Sequence, residues 1–177
     1  MRQRYSVIAA IDVAGGYAKN GKIPWYYSED FKWFRKQTTG HICVMGRNTY
    51  EDINARLGDK AKESVLPNRQ CFVLSTTLTD LPNATVVRTL SEVEKFSPDT
   101  NIPIFIIGGG ALFNMGVLLA DTVVLTEINS DYNCDKFFPL SYLTDHFIIR
   151  QQIETDDKEL CFYTFERIQN DTTRKSE

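Results

Sequence analysis

Apolar and polar positions divide the chain into two alternating kinds of segment. Eight runs read as strands: "YSVIAAI" (5–11), "HICVMG" (41–46), "QCFVLS" (70–75), "ATVVR" (84–88), "IPIFII" (102–107), "DTVVLTEI" (121–128), "HFIIRQQI" (146–153) and "LCFYTFERI" (160–168). Several are apolar at every position, the pattern of strands covered on both faces. Between them, residues 28–38, 47–56, 91–96 and 111–119 carry helical spacing. Strands alternating with helices predict an α/β fold. The expected architecture is a single-domain three-layer sandwich: a central eight-stranded, mostly parallel sheet with four flanking helices. The last two runs lack a helix between them, so an antiparallel C-terminal strand is expected. The domain is expected to span 1–168, and the polar stretch "QNDTTRKSE" (169–177) to be a disordered tail.

The helix at 28–38 holds the first candidate chemistry. Ser28 is the expected N-cap, with Glu29 and Asp30 in the first turn, where acids suit the helix dipole. At about 100° per residue, Asp30 shares a face with Phe31 and Phe34, while Lys32, Arg35 and Lys36 fall opposite. Trp25 arrives just before. Two readings stay open. Asp30 either supports the helix start and reaches solvent, or lines a cleft. A cleft carboxylate needs a positive or donor-rich partner, and no cation lies on its own face. A flat heteroaromatic ring with two adjacent N–H donors would fit, its faces covered by phenylalanine.

Three strand ends carry features that suit anions. In "VMGRNTYEDI" a strand ends at Gly46 and a helix follows at once. Arg47 there is either a solvated arginine or the partner of an anion held at the helix N-terminus with Thr49. In "FVLSTT", Ser75 and Thr76 place hydroxyls at a strand end, a weak signal that a plain turn also explains. In "FIIGGGALF", Gly108, Gly109 and Gly110 sit between a buried strand and a helix. They make either a tight turn or a close approach of ligand to backbone. This is neither G-x-G-x-x-G nor a P-loop. Three such ends together fit a dinucleotide lying along the carboxyl edge of the sheet.

Composition narrows the classes. A 177-residue chain that is 42% apolar supports one globular core. A net charge of −3 gives no basic excess for nucleic acid or an anionic membrane. No apolar run reaches the roughly 20 residues of a membrane span, and Asp12 interrupts the first run, which reads as a strand rather than an export signal. Cys43, Cys71, Cys134 and Cys161 form no C-x-x-C pair, and the two histidines lie far from them. No metal site is expected, and the cytoplasm is the expected compartment.

These residues, taken in order, resemble the dihydrofolate reductase family over about residues 5–167. "VIAAI", "IPW" with "EDFKWF", "VMGRNTYEDI", "LPNR", "VLS", "IIGGGALF", "LTEI" and "DKFFP" carry the resemblance. It implies NADPH-dependent reduction of 7,8-dihydrofolate to tetrahydrofolate by a monomer, with dihydrofolate as the small-molecule partner. Asp30 would be the active-site acid that binds the pterin, with Trp25 and Thr126 completing the catalytic set. Ile8, Ala9, Ala10, Phe31, Phe34 and Ile53 would line the substrate pocket. Arg69 of "LPNR" would pair with the glutamate α-carboxylate. Arg47 and Thr76 would hold the cofactor's 2′-phosphate, and Thr49, Gly109 and Gly110 its diphosphate, with a cis bond between Gly108 and Gly109. The cofactor set also takes in Ala10, Tyr17, Ala18, Ile23, Gly46, Asn48, Leu74, Ser75, Ile107, Ala111, Leu112 and Phe113.

The chain departs from the family pattern in places. Tyr17–Ala18 replaces an aliphatic residue and glycine in the loop that closes over nicotinamide. Asn48 and Ala111 thin the basic character around the 2′-phosphate. Residues 54–65 are expected to form a surface loop near Arg69. The readings in competition are a riboflavin-pathway type NADPH reductase of the same fold and a non-catalytic dinucleotide-binding assembly protein.

Overall fold

The computed structural model describes residues 2–169, so the expected disordered tail, all but Gln169, lies outside the described residues. The elements in chain order are β1 (Tyr5–Asp12), β2 (Gly16–Ala18), α1 (Ser28–Thr38), β3 (Ile42–Gly46), α2 (Arg47–Leu57), β4 (Gln70–Leu74), β5 (Thr85–Val87), α3 (Leu90–Glu94), β6 (Ile104–Ile106), α4 (Gly110–Leu119), β7 (Thr122–Ile128), β8 (Lys136–Phe137), α5 (Leu140–His146), β9 (Phe147–Glu154) and β10 (Leu160–Arg167). Eight strands form one sheet in the order β5-β4-β3-β6-β1-β7-β10-β9. All neighbours are parallel except around β10, which runs antiparallel to both β7 and β9.

The fully apolar runs are explained by helices on both faces. Along β1, Val7, Ala9 and Ile11 face Leu112, Phe113 and Val117 of α4. Ile8 faces the other way, into a cluster with Tyr50 of α2 and Trp33 and Phe34 of α1. Strands β3 and β4 place Cys43 beside Cys71 in register, both buried, as small apolar residues of the second cluster. Helix α4 approaches β1 closely at Gly116. A Cβ there would lie 2.9 Å from Val7 Cγ2 and 3.1 Å from Ile106 Cδ1. Gly116→Ala is therefore expected to destabilise the fold: overpacking costs about 1–3 kcal/mol, which the better helix propensity of alanine, about 1 kcal/mol, only partly offsets. A lower urea midpoint checks this.

Three details differ from the sequence reading. A small second sheet pairs β2 with β8, too short for a periodic signal. A fifth helix, α5, ends at His146, which the apolar pattern had assigned to the start of a strand. Residues 54–65 do not form a plain surface loop. Helix α2 continues to Leu57, a 3-10 turn spans Gly58–Ala61, and Ala61 and Val65 are buried.

Candidate active site

The carboxyl ends of β1, β3, β6 and β7 open onto one edge of the sheet, where α1, α2 and α4 begin or pass. Register places Ala10 of β1 beside Thr126 of β7, and Thr126 is buried. Asp30, in the first turn of α1, faces that pair. The N-cap of α1 is Tyr27, not Ser28, and no side chain caps it. The helix dipole is thus left to the acids of the first turn. Burial pushes the Asp30 carboxyl above its ordinary range, and a hydrogen bond with the Thr126 hydroxyl pulls it part of the way back. Among the described residues, Asp30 has no ion-pair partner. Trp25 is buried alongside, edge-on to Tyr132 at 5.2 Å.

The two phenylalanines separate. Phe34 is half-buried and packs with Ile53 of α2 against the core. Phe31 does not share the inward face: it is 37% exposed and leans on Tyr26, with ring centroids 5.0 Å apart. Ile8 faces the cleft side of the sheet and Ala10 is half-buried. The side chain of Ala9 points into the opposite cluster, so that residue offers only its backbone.

At the far end of α1, the Arg69 guanidinium lies 5.7 Å over the Phe34 ring. Its Nε donates to Thr38 Oγ1 at 3.0 Å and its Nη1 to the Pro67 carbonyl at 2.6 Å. Thr38 in turn donates to the Phe34 carbonyl at 2.8 Å. Burial, joined by the nearby Arg35 charge, lowers the Arg69 pKa. Two of five guanidinium N–H groups are engaged there, which leaves donors for a carboxylate. The start of α1 therefore carries a desolvated acid, and the last residue of the same helix, Thr38, braces a cation that precedes β4.

The third part of the cleft is a pair of helix N-termini. Helices α2 and α4 are capped by Gly46 and Gly109, with no side chain in either cap. The Gly46 N–H donates to the Gly108 carbonyl at 2.7 Å, and the Gly108–Gly109 peptide is cis. A Cβ on Gly108 would sit 3.1 Å from the Thr49 hydroxyl, in a backbone with φ of +127°. The cradle is thus two uncapped N-termini, a hydroxyl and backbone that only glycine leaves open. It fits a diphosphate in shape and sign. The Tyr17 hydroxyl reaches the same place, 2.6 Å from where a Gly110 Cβ would be.

The remaining expected cofactor residues divide. Arg47 is exposed and pairs with Glu51 at 2.7 Å on its own helix; Asn48 and Ala111 are exposed, and Ile23 lies at the rim. Leu74 is half-buried at the end of β4, beside the turn that carries Thr76. Ser75 Oγ accepts from the Leu78 N–H at 3.1 Å, so that hydroxyl serves the turn. Ala18, Ile107, Leu112 and Phe113 are buried, so their side chains belong to packing. Sequence reasoning missed Arg88. It follows the apolar end of β5, and its Nη1 donates to the Ser75 carbonyl. Parallel pairing of β4 with β5 brings it there. Its signal was one basic residue directly after the run "TVV".

A family model described as dihydrofolate reductase matches residues 4–170. Dihydrofolate reductase HdrB of Haloferax volcanii is 30% identical over 175 residues, which cover 94% of this chain and 84% of that one. The dihydrofolate reductase of Haemophilus influenzae is 33% identical over 135 residues, 76% of this chain and 78% of that one. A segregation and condensation protein A of Mycoplasmoides gallisepticum is 34% identical over 146 residues; these are 82% of this chain but only 23% of that longer protein. In fold, the chain is similar to a solved dihydrofolate reductase from Enterococcus faecalis, complexed with NADP(H) and RAB-propyl. The TM-score is 0.75 and the identity 24%, over 94% of this chain and 97% of that one.

Proposed function

We infer that this chain, which belongs to the dihydrofolate reductase family, reduces 7,8-dihydrofolate to 5,6,7,8-tetrahydrofolate with NADPH. One observation carries the reading: a desolvated carboxylate and a braced guanidinium at opposite ends of α1, beside a glycine-lined cradle that suits phosphates. An acid at one end of α1 and a cation at the other suit a molecule with a basic flat ring at one end and a carboxylate at the other. A ribosyl-phosphate substrate would use neither Asp30 nor Arg69.

Asp30 would accept from the exocyclic amino group and the adjacent ring nitrogen of the pterin, with Thr126 orienting the carboxylate. Phe34 and Ile53 would pack against the ring and the benzoyl group. Arg69 would hold the glutamate α-carboxylate in a bidentate clasp. Thr49, Gly109 and Gly110 would hold the cofactor's diphosphate, and Arg47, Thr76 and Arg88 its 2′-phosphate. When bound, NADPH supplies the hydride for carbon 6 of the pterin. This chain supplies proximity and the Asp30 charge, which makes nitrogen 5 of the pterin more basic toward a proton from water.

Mixing the protein with NADPH and dihydrofolate and following near-ultraviolet absorbance tests the reading. A steady, substrate-dependent loss is expected, and its absence sinks the proposal. The phosphate assignments have their own check. Arg88→Ala and Arg47→Ala are each expected to raise KM for NADPH roughly 10- to 150-fold, the worth of a hydrogen bond to a charged group, about 1.5–3 kcal/mol. KM for NADH should stay unchanged, because that cofactor lacks the 2′-phosphate.

A further inference from the structure

Asp12 ends β1 and is fully buried, yet the chemistry above does not use it. Its carboxylate is shared between two chain segments. Oδ1 accepts from the backbone N–H of Ala14 at 3.0 Å and of Gly16 at 2.8 Å. Oδ2 accepts from the N–H of Tyr132 at 3.1 Å. Desolvation works against the charge, but the bonds from Gly16, Tyr132, Cys134 and Ala14 outweigh it and hold the carboxyl below its ordinary range. The two segments meet so tightly that a Cβ on Gly16 would overlap the Cys134 Cβ at 2.2 Å. Further along, the Asn20 N–H donates to Asp135 Oδ2 at 2.9 Å.

Gly16 opens β2, and the next residue is Tyr17. The Tyr17 ring meets Phe113 edge-on at 5.0 Å, and its hydroxyl lies over Gly110 at the start of α4. Where β2 sits therefore decides where that hydroxyl sits. We propose that Asp12 is a positioning residue for cofactor binding: its two oxygens tie the 13–16 turn to the 130–134 segment and so place Tyr17 at the N-terminus of α4. The inference deepens the functional reading and rests on it for the location of the NADPH diphosphate.

Asp12→Asn separates the two halves of the tie. The amide keeps one oxygen for Ala14 and Gly16 but turns an N–H₂ toward the Tyr132 N–H. The measurement is the Kd for NADPH alone, read by quenching of intrinsic fluorescence, with no folate present. Asp12→Asn is expected to weaken binding about tenfold, and in a Tyr17→Ala background by less than about threefold, because the partner through which it acts is gone. Unchanged binding in Asp12→Asn overturns the proposal. So does the same factor in both backgrounds, which would make Asp12 a purely structural buried acid. Failure of the unaltered protein to bind NADPH would instead overturn the functional reading. Should Asp12→Asn not fold, hydrogen exchange of the unaltered protein decides. The amides of Ala14, Gly16 and Tyr132 are expected to exchange slowly as one set, and rapid exchange at Tyr132 alone breaks the tie.

Discussion

Asp30→Asn is expected to lower turnover of dihydrofolate about 10²- to 10³-fold near neutral pH while NADPH affinity stays within about twofold, the scale of removing a preorganised charge or acid–base group. The amide keeps the shape of the side chain and one acceptor, so packing against Thr126 survives. It loses the charge that stabilises a more basic pterin and offers an N–H₂ where two N–H donors need acceptors. The same substitution should raise the thermal stability of the free protein at neutral pH. The Asp30 carboxyl titrates above its ordinary range because burial disfavours its charge. The folded state therefore holds that proton more tightly than the unfolded chain. The stability it confers is present below the unfolded pKa and is lost as pH rises through the folded one. At neutral pH the wild-type protein carries this cost and the asparagine variant does not. Calorimetry of the two proteins at pH 7 and in the acid range checks the sign, which should show a gap that narrows as pH falls. An equal loss of NADPH binding in Asp30→Asn would assign the residue a different role.

Arg69→Leu is expected to weaken dihydrofolate binding by about 2–3 kcal/mol, roughly 30- to 150-fold in KM, with a small change in turnover at saturation. Arg69 sits far along α1 from Asp30 and is braced by Thr38, Pro67 and the face of Phe34. Its hydrogen bonds hold its plane before any ligand arrives. Little rotamer entropy is then left to lose on binding, which is the advantage of a fork-shaped donor over lysine. Leucine would still cover Phe34 but leave the substrate's carboxylate without a partner. A fall in turnover alone, with KM intact, would overturn the clamp. A pteroate-type substrate without the glutamate should lose nothing in the variant and serves as its control.

The inner strands of the main sheet were legible because both of their faces are covered, and such strands read as plain apolar runs; the edge strand β9, exposed after Phe147, is the exception. The pieces that escaped reading are short or depend on tertiary contact. Strand β8 has two residues, Lys136 and Phe137, both exposed, and no pattern of period two can be read in so few. The wheel position of Asp30 agrees with the desolvation of its carboxyl, but the same wheel puts Phe31 inward, and its ring lies exposed beside Tyr26. Asp12 was read only as an interruption of an apolar run. Its acceptor role depends on Tyr132, 120 residues away, and local pattern carries no trace of that. Arg88 escaped for the same reason, since strand pairing rather than sequence distance brings it to Ser75.

The antiparallel strand β10 has a temporal consequence. It is threaded between β7 and β9, and Phe162 lies directly across from Thr126. The outer edge of β7 has no neighbour until residues beyond 160 have left the ribosome. The acid on α1 is made early, but the wall behind it is finished last. Catalysis should therefore be the final property a nascent chain acquires, and a chain cut off before β10 should not bind dihydrofolate.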